Sequence, residues 1–329
     1  MTDRQEGDLP AAAQEPEVAE VLTAFRTGYQ ATRVTALPDG RIRWQHTPGT
    51  HHDGLYPPVR PDVVHRLHAA SDPHIRFTTP SVASPTECSW DVNGRHSLAS
   101  WLVPGEDDPT ERLHETIGRL GLRLRALHDQ PPGTDPPTDP APPPGPARLL
   151  AWLDSGRAPR AGAGFHHRLR AQLGPARWEK LRDFTHHLLH PRPTDRTGVV
   201  HGWFSLGRII VADPPDATPR ACVLSGFEAT WGRPELDLAC LIGELAEYRK
   251  AAERAGADWP VPDTLQHTFL THYGTGWEAG TLAAGAVVRI ATHAHDFAAY
   301  IGWGAQLHGY VPMLTDLLDT DGAASLAVV

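Results

Sequence analysis

The clearest pattern lies near the middle of the chain, where Leu113, Ile117, Leu120, Leu124 and Leu127 recur at steps of four, three, four and three. Such steps return to one face of a 3.6-residue helix. They predict a helix buried along most of its length, with Asp108 as N-cap and Pro109 in its first turn. Similar patterns predict helices over 147–153, 164–173, 176–190, 235–255, 262–273 and 283–301. Ahead of residue 105 the runs are shorter. Segments 33–37 and 41–46 flank Pro38-Asp39-Gly40, and segments 89–92 and 96–102 flank Asn93-Gly94. Both read as β-hairpins. Short helices are expected over 18–26, with Val21, Leu22 and Phe25 on one face, and over 62–70. Segment 198–211 reads as strand, tight turn, strand, and 220–224 as a further strand.

This order divides the chain into an arm expected to be disordered (1–17), a β-rich lobe (18–104) and a helical lobe (105–329). The hinge falls near 101–106. Segment 130–146, QPPGTDPPTDPAPPPGP, is expected to be an extended surface loop.

Composition narrows the partners. The formal net charge of -9 argues against nonspecific binding to nucleic acid or anionic lipid. No apolar run reaches the roughly 20 residues of a membrane span. The acidic, Pro-dotted N-terminus does not resemble a signal peptide. Cys88, Cys222 and Cys240 lie far apart with no CxxC pair, which fits a reduced, cytoplasmic protein with buried thiols. Lysine occurs only at Lys180 and Lys250, so 28 of the 30 basic residues are arginine.

Three segments carry chemistry by resemblance. Segment 117–128, IGRLGLRLRALH, ends in Leu-x-x-Leu-His; segment 199–211 reads VVHGWFSLGRIIV; segment 222–239 reads CVLSGFEATWGRPELDLA. In this order they resemble the aminoglycoside phosphotransferase and choline kinase branch of the kinase fold. There a strand leads into His-Gly-Asp with an Asn five positions later, and a metal-binding strand precedes Gly-x-Pro-x-x-Asp-Leu-Ala. The likeness covers most of 85–310. It implies an α+β, bilobal protein-kinase-like fold with a small β-rich N-lobe and a large helical C-lobe. It also implies phosphoryl transfer by positioning and charge neutralisation, with ATP and Mg²⁺ as cofactors.

The residues at the family's working positions differ. Trp203 stands for the loop Asp, Arg208 for the Mg-binding Asn and Gly226 for the Mg-binding Asp. The phosphate-holding lysine has no counterpart before residue 180. Indole cannot accept a proton or ligate a cation through oxygen, and a guanidinium repels Mg²⁺. A degenerate site with no cofactor is the favoured reading. His201 orders the loop, Asp237 braces its backbone by hydrogen bonds, Glu228 is retained, and Trp203 and Phe204 plug the cleft. The alternative is an active, Arg-rich site that keeps ATP and Mg²⁺. Arg43, Arg66 and Arg208, with Arg60 and Arg76 as further candidates, would then hold phosphates, and Asp213 or Glu228 a metal.

Other signals are weaker. The doublets His51-His52, His166-His167 and His186-His187 point apart on regular elements and do not suit a metal, and most histidines are expected to be solvated or capping, His128 at its helix C-terminus among them. Ser205 lacks a nucleophile motif. Trp101, Trp152, Trp203 and Trp231 could line a cleft for a peptide. The loop HGWFSLGR is similar to kinase-like components of class V lanthipeptide and thioamitide pathways. That likeness implies a precursor peptide and a lyase-like partner enzyme, with the protein assisting Ser/Thr dehydration. A small-molecule kinase of the aminoglycoside or choline type is the remaining alternative.

Overall fold

The computed structural model describes residues 19–52, 54, 56–102, 110–131, 140–213 and 217–327. The arm, residues 103–106 of the hinge, the Asp108-Pro109 cap and residues 132–139 of the Pro-rich loop lie outside these residues.

The chain opens with an antiparallel meander, β1 (Glu20–Arg26), β2 (Gln30–Ala36) and β3 (Ile42–Pro48). Helix α1 (Pro61–Ala70) follows, then β4 (Ile75–Thr78), β5 (Val82–Ser84), β6 (Glu87–Val92) and β7 (His96–Ser97). One five-stranded sheet has the order β1-β2-β3-β6-β5. Where a helix is expected over 18–26, Glu20–Arg26 is therefore an edge strand. Its apolar positions are mostly exposed, so no helical face is buried; pairing with β2 satisfies its backbone instead.

The helical part begins with α2 (Thr110–His128) and α3 (Pro144–Ser155). Pro144 at the helix start takes the end of the Pro-rich segment into α3, because a first-turn proline gives up no hydrogen bond. Helix α4 (Gly162–Leu189) is broken at Gly174, whose φ of 71° only glycine adopts easily. Strands β8 (Gly198–Val200), β9 (Ile209–Val211), β10 (Ala221–Leu224) and β11 (Thr230–Gly232) come next. Helices α5 (Glu235–Arg254), α6 (Val261–Tyr273), α7 (Ala279–Asp296) and α8 (Ala305–Asp319) complete the chain, with a π-turn at Phe297–Ile301 between α7 and α8.

The hairpin expected around Pro38-Asp39-Gly40 forms as β2–β3, but the one expected around Asn93-Gly94 and the strand–turn–strand unit expected over 198–211 do not pair with themselves. β6 pairs with β3 and β5, whereas β7 pairs with β9 in a second sheet of order β4-β10-β9-β7. The Asn93-Gly94 turn carries the chain from one sheet to the other. Gly94 packs so tightly that a Cβ would lie 1.8 Å from the Val211 carbonyl oxygen. β8 and β9 also part company: β8 joins β11 in a two-stranded sheet, so the loop between them crosses from one sheet to another. Parallel pairing of β4 with β10 ties the two halves of the chain together.

Three apolar clusters fill the molecule. One joins α1, β4, α2, α5 and α6; a second joins α3, α4, α7 and α8. The third packs Val34, Trp44, Cys88 and Trp90 of the first sheet directly onto Ile210, Cys222 and Leu224 of β9 and β10.

Candidate functional site

The loop after β8 is built around one carboxylate. Asp237, in the first turn of α5, is fully buried and accepts the backbone N–H of His201 at 2.6 Å and of Gly202 at 2.8 Å. His128 Nε2 lies 3.1 Å from the same carboxylate, and His128 Nδ1 lies 2.9 Å from the Tyr273 hydroxyl. His128 is thus buried, bridging Asp237 and Tyr273, rather than solvated at its helix end. Gly202 has φ 80°, and a Cβ there would lie 2.0 Å from the Glu228 carbonyl oxygen, so only glycine fits. The His201 ring contacts the Leu224 carbonyl at 3.1 Å through Nε2 and receives the Trp203 N–H at 3.3 Å on Nδ1. That pattern suits the neutral ring, and burial holds its pKa below 6.5 despite the nearby carboxylates.

Trp203 turns into the cleft. Its indole is wedged against Gly145, where a Cβ would come within 2.6 Å of the ring, and the Arg289 guanidinium lies 4.9 Å from its centroid. Phe204 does not help to plug the cleft. It points the other way into the core, fully buried, as the alternation along an extended segment requires.

Arg208 is the centre of the cleft. One amino group is paired with Glu228 Oε1 and another meets His46 Nδ1 at 2.9 Å. The two charged side chains are 10% and 7% exposed. Glu228 Oε2, buried without a hydrogen-bond partner, lies 3.3 Å from where a Cβ on Gly226 would be. The Glu228 carboxylate therefore curls back against the position from which an Asp side chain at 226 would start. His46 is held well below 6.5 by burial and then by the Arg208 charge, so it meets the guanidinium as an acceptor.

His46 went unnoticed in the sequence, although the period of β3 points to it. Trp44 and His46 alternate onto the inner face, whereas Arg43 lies on the other face, paired with Asp91 at 2.7 Å. The remaining candidates also lie elsewhere. Arg66 donates to the Pro131 carbonyl at 2.8 Å and stacks over Trp231. Arg60 pairs with Asp62, and Arg76 is exposed on β4. Asp213 pairs with Arg95 at the surface. The four tryptophans do not converge: Trp152 is buried among Phe165, His166 and Trp178, and Trp101 stacks with Arg112. Among the described residues no group of three or more His, Cys, Asp or Glu could hold a metal ion.

A cavity of about 250 Å³ lies over Trp203, Arg208 and Glu228. Its roof is the β1–β2 turn. Gly28 donates its N–H to the Tyr300 carbonyl at 2.7 Å, clamping the turn onto the π-turn after α7. Arg148 crosses the cavity wall, donating to the Tyr29 hydroxyl at 2.9 Å and to Asp296 at 2.8 Å, with its guanidinium 4.2 Å from the Tyr29 centroid. Burial pushes the Asp296 pKa up, but the Arg148 charge together with the charge and hydrogen bond of His295 outweighs it and holds the group down to about 2. Nothing local in the sequence pairs residues 29, 148 and 296.

No protein-family profile matches the chain, and no curated protein matches it. Solved structures do. An ethanolamine kinase from Plasmodium vivax superposes with a TM-score of 0.51 at 12% identity, covering 94% of this chain and 81% of that one. Macrolide 2'-phosphotransferase MphH from Brachybacterium faecium gives 0.40 at 14% identity, covering 94% and 91%. The gentamicin–APH(2")-IIa complex gives 0.48 at 11% identity, covering 94% and 93%. With its β-sheet N-terminal region and helical C-terminal part, the chain has a phosphotransferase-like kinase fold.

Proposed function

We propose that this protein uses the kinase fold to bind and not to transfer phosphate. The supporting observation is the buried Arg208–Glu228 pair, sealed by His46. Kinases hold the nucleotide with a strand lysine and with oxygen ligands around Mg²⁺. Here the residues do not fit that group. A guanidinium takes the place of the cation, its partner carboxylate is already engaged, Gly226 offers no side-chain oxygen, and His46 stands on the third strand. Trp44 and Trp90 fill the space between the first sheet and strands β9 and β10; both ring N–H groups are tied down, to the Gly94 carbonyl at 2.9 Å and the Ser225 carbonyl at 3.0 Å.

On this reading the protein is a binding component in peptide natural-product maturation. It would hold a precursor peptide and a lyase-like partner enzyme while Ser/Thr dehydration proceeds. The likeness of the HGWFSLGR loop supports that setting, and the cavity over Trp203 supports a binding role.

Thermal unfolding with ATP, ADP and GTP, with and without Mg²⁺, tests the proposal. A ligand at a hundred times its Kd adds about 2.7 kcal/mol to the folded state, a rise of several degrees. No shift is expected. A Mg²⁺-dependent rise abolished by Arg208→Ala overturns the proposal.

A further inference from the structure

The chain is acidic overall, yet no Asp or Glu occurs between residues 155 and 178, a stretch holding five arginines. The fold gathers part of this charge around two exposed apolar side chains. Ile301 and Trp303, which follow the clamp residue Tyr300, are 52% and 50% exposed. Arg160 donates to the Ile301 carbonyl at 3.0 Å, and the Arg168 guanidinium lies 5.6 Å from the Trp303 centroid. His308 of α8 meets the same indole edge-on at 5.8 Å. Among the described residues neither Arg160 nor Arg168 has an acidic partner, whereas Arg177 and Arg182 farther along α4 pair with Asp319 and Asp154. Ile301 also lines the cavity over Trp203, so the patch is continuous with the cleft.

Guanidinium groups beside an exposed indole combine an apolar platform with unneutralised donors. In a protein of net charge -9 that combination selects a short anionic ligand with an apolar anchor. A long polyanion such as a nucleic acid meets repulsion from the rest of the surface. We infer that Ile301, Trp303, Arg160 and Arg168 form a docking surface for an acidic peptide segment carrying a bulky apolar residue. The apolar residue packs on Ile301 and Trp303, and its neighbouring carboxylates meet Arg160 and Arg168. The inference rests on the reading of this protein as a binding component.

Fluorescence anisotropy on the full chain tests it, with a short labelled peptide of alternating Glu and Leu as probe. Comparators are a Lys–Leu peptide, a Glu–Ser peptide and single-stranded DNA. The Glu–Leu peptide alone should bind. Trp303→Ala and Arg168→Gln should each weaken it about tenfold with unchanged unfolding temperature, and Leu122→Ala, an exposed leucine elsewhere, should not. Equal binding of the Lys–Leu or Glu–Ser peptide, preferential binding of DNA, or variants that bind as the parent does would each overturn the proposal. So would a dimer, seen by light scattering, that Trp303→Ala dissolves. The nucleotide titration separates the two readings. A nucleotide shift with selective peptide binding sinks the non-transferring function and leaves this surface standing; no shift with no selective binding does the reverse.

Discussion

The guanidinium of Arg208 is ion-paired with the carboxylate of Glu228 inside the cleft, joining the loop after β8 to the segment after β10. A positive charge and its counter-charge are thus built into the chain. Water screens neither of them, and each depends on the other.

Arg208→Ala should destabilise the protein by about 3–5 kcal/mol, because it strands a buried carboxylate. The double variant Arg208→Met with Glu228→Leu should recover most of that loss, since apolar groups of similar volume replace a buried pair at little cost. Urea unfolding measures both. A single variant as stable as the parent would show that Glu228 is solvated after all.

Acid should weaken the fold before most carboxylates titrate. His46 and His201 are buried and hold their pKa values below 6.5, chiefly through desolvation. Below pH 6.5 the unfolded chain binds protons that the folded chain refuses, so stability falls as pH falls through that range and is fully present above it. His46→Gln should flatten the slope of unfolding free energy between pH 6.5 and the depressed pKa. An unchanged slope would mean that His46 is already charged in the native state.

Asp237 carries the loop backbone. Asp237→Ala leaves the N–H groups of His201 and Gly202 buried without an acceptor and removes a partner of His128. A loss of about 3 kcal/mol or more is expected. Amide exchange at His201 and Gly202 should accelerate in the same variant, which separates local loosening from general instability.

Trp203→Asp puts a carboxylate into the loop after β8. It should not produce ATP hydrolysis or phosphate transfer in a radiolabel assay, because Arg208 still holds the neighbouring position and Trp44 and Trp90 still fill the gap between the sheets. Trp203→Ala should enlarge the cavity beside Arg289 and Gly145 and cost about 2 kcal/mol. Detectable transfer by either variant would mean that a single residue had silenced an otherwise competent site.

Much of the helical half was legible from periodicity alone. The Leu113–Leu127 stripe is buried in α2, and the interruption near Gly174 is where α4 breaks. Such features depend on neighbours a few residues apart. Helix α8 escaped notice because Pro312 interrupts its pattern, yet the helix persists across it. β1 was misread because three apolar residues fit a helical face as well as a strand, and only pairing with β2 decides between them.

Local sequence by itself determined the helical stripes, the turns and the residue types at 203, 208 and 226, since each follows from chain order and side-chain chemistry. Only the tertiary structure decided that Asn93-Gly94 joins two sheets, that β4 lies beside β10, that His46 reaches Arg208 across 162 residues, and that Arg148 bridges Tyr29 and Asp296. Those relationships are set by long-range register and packing, in which many distant contacts must be satisfied at once, and no short stretch of the chain holds that information.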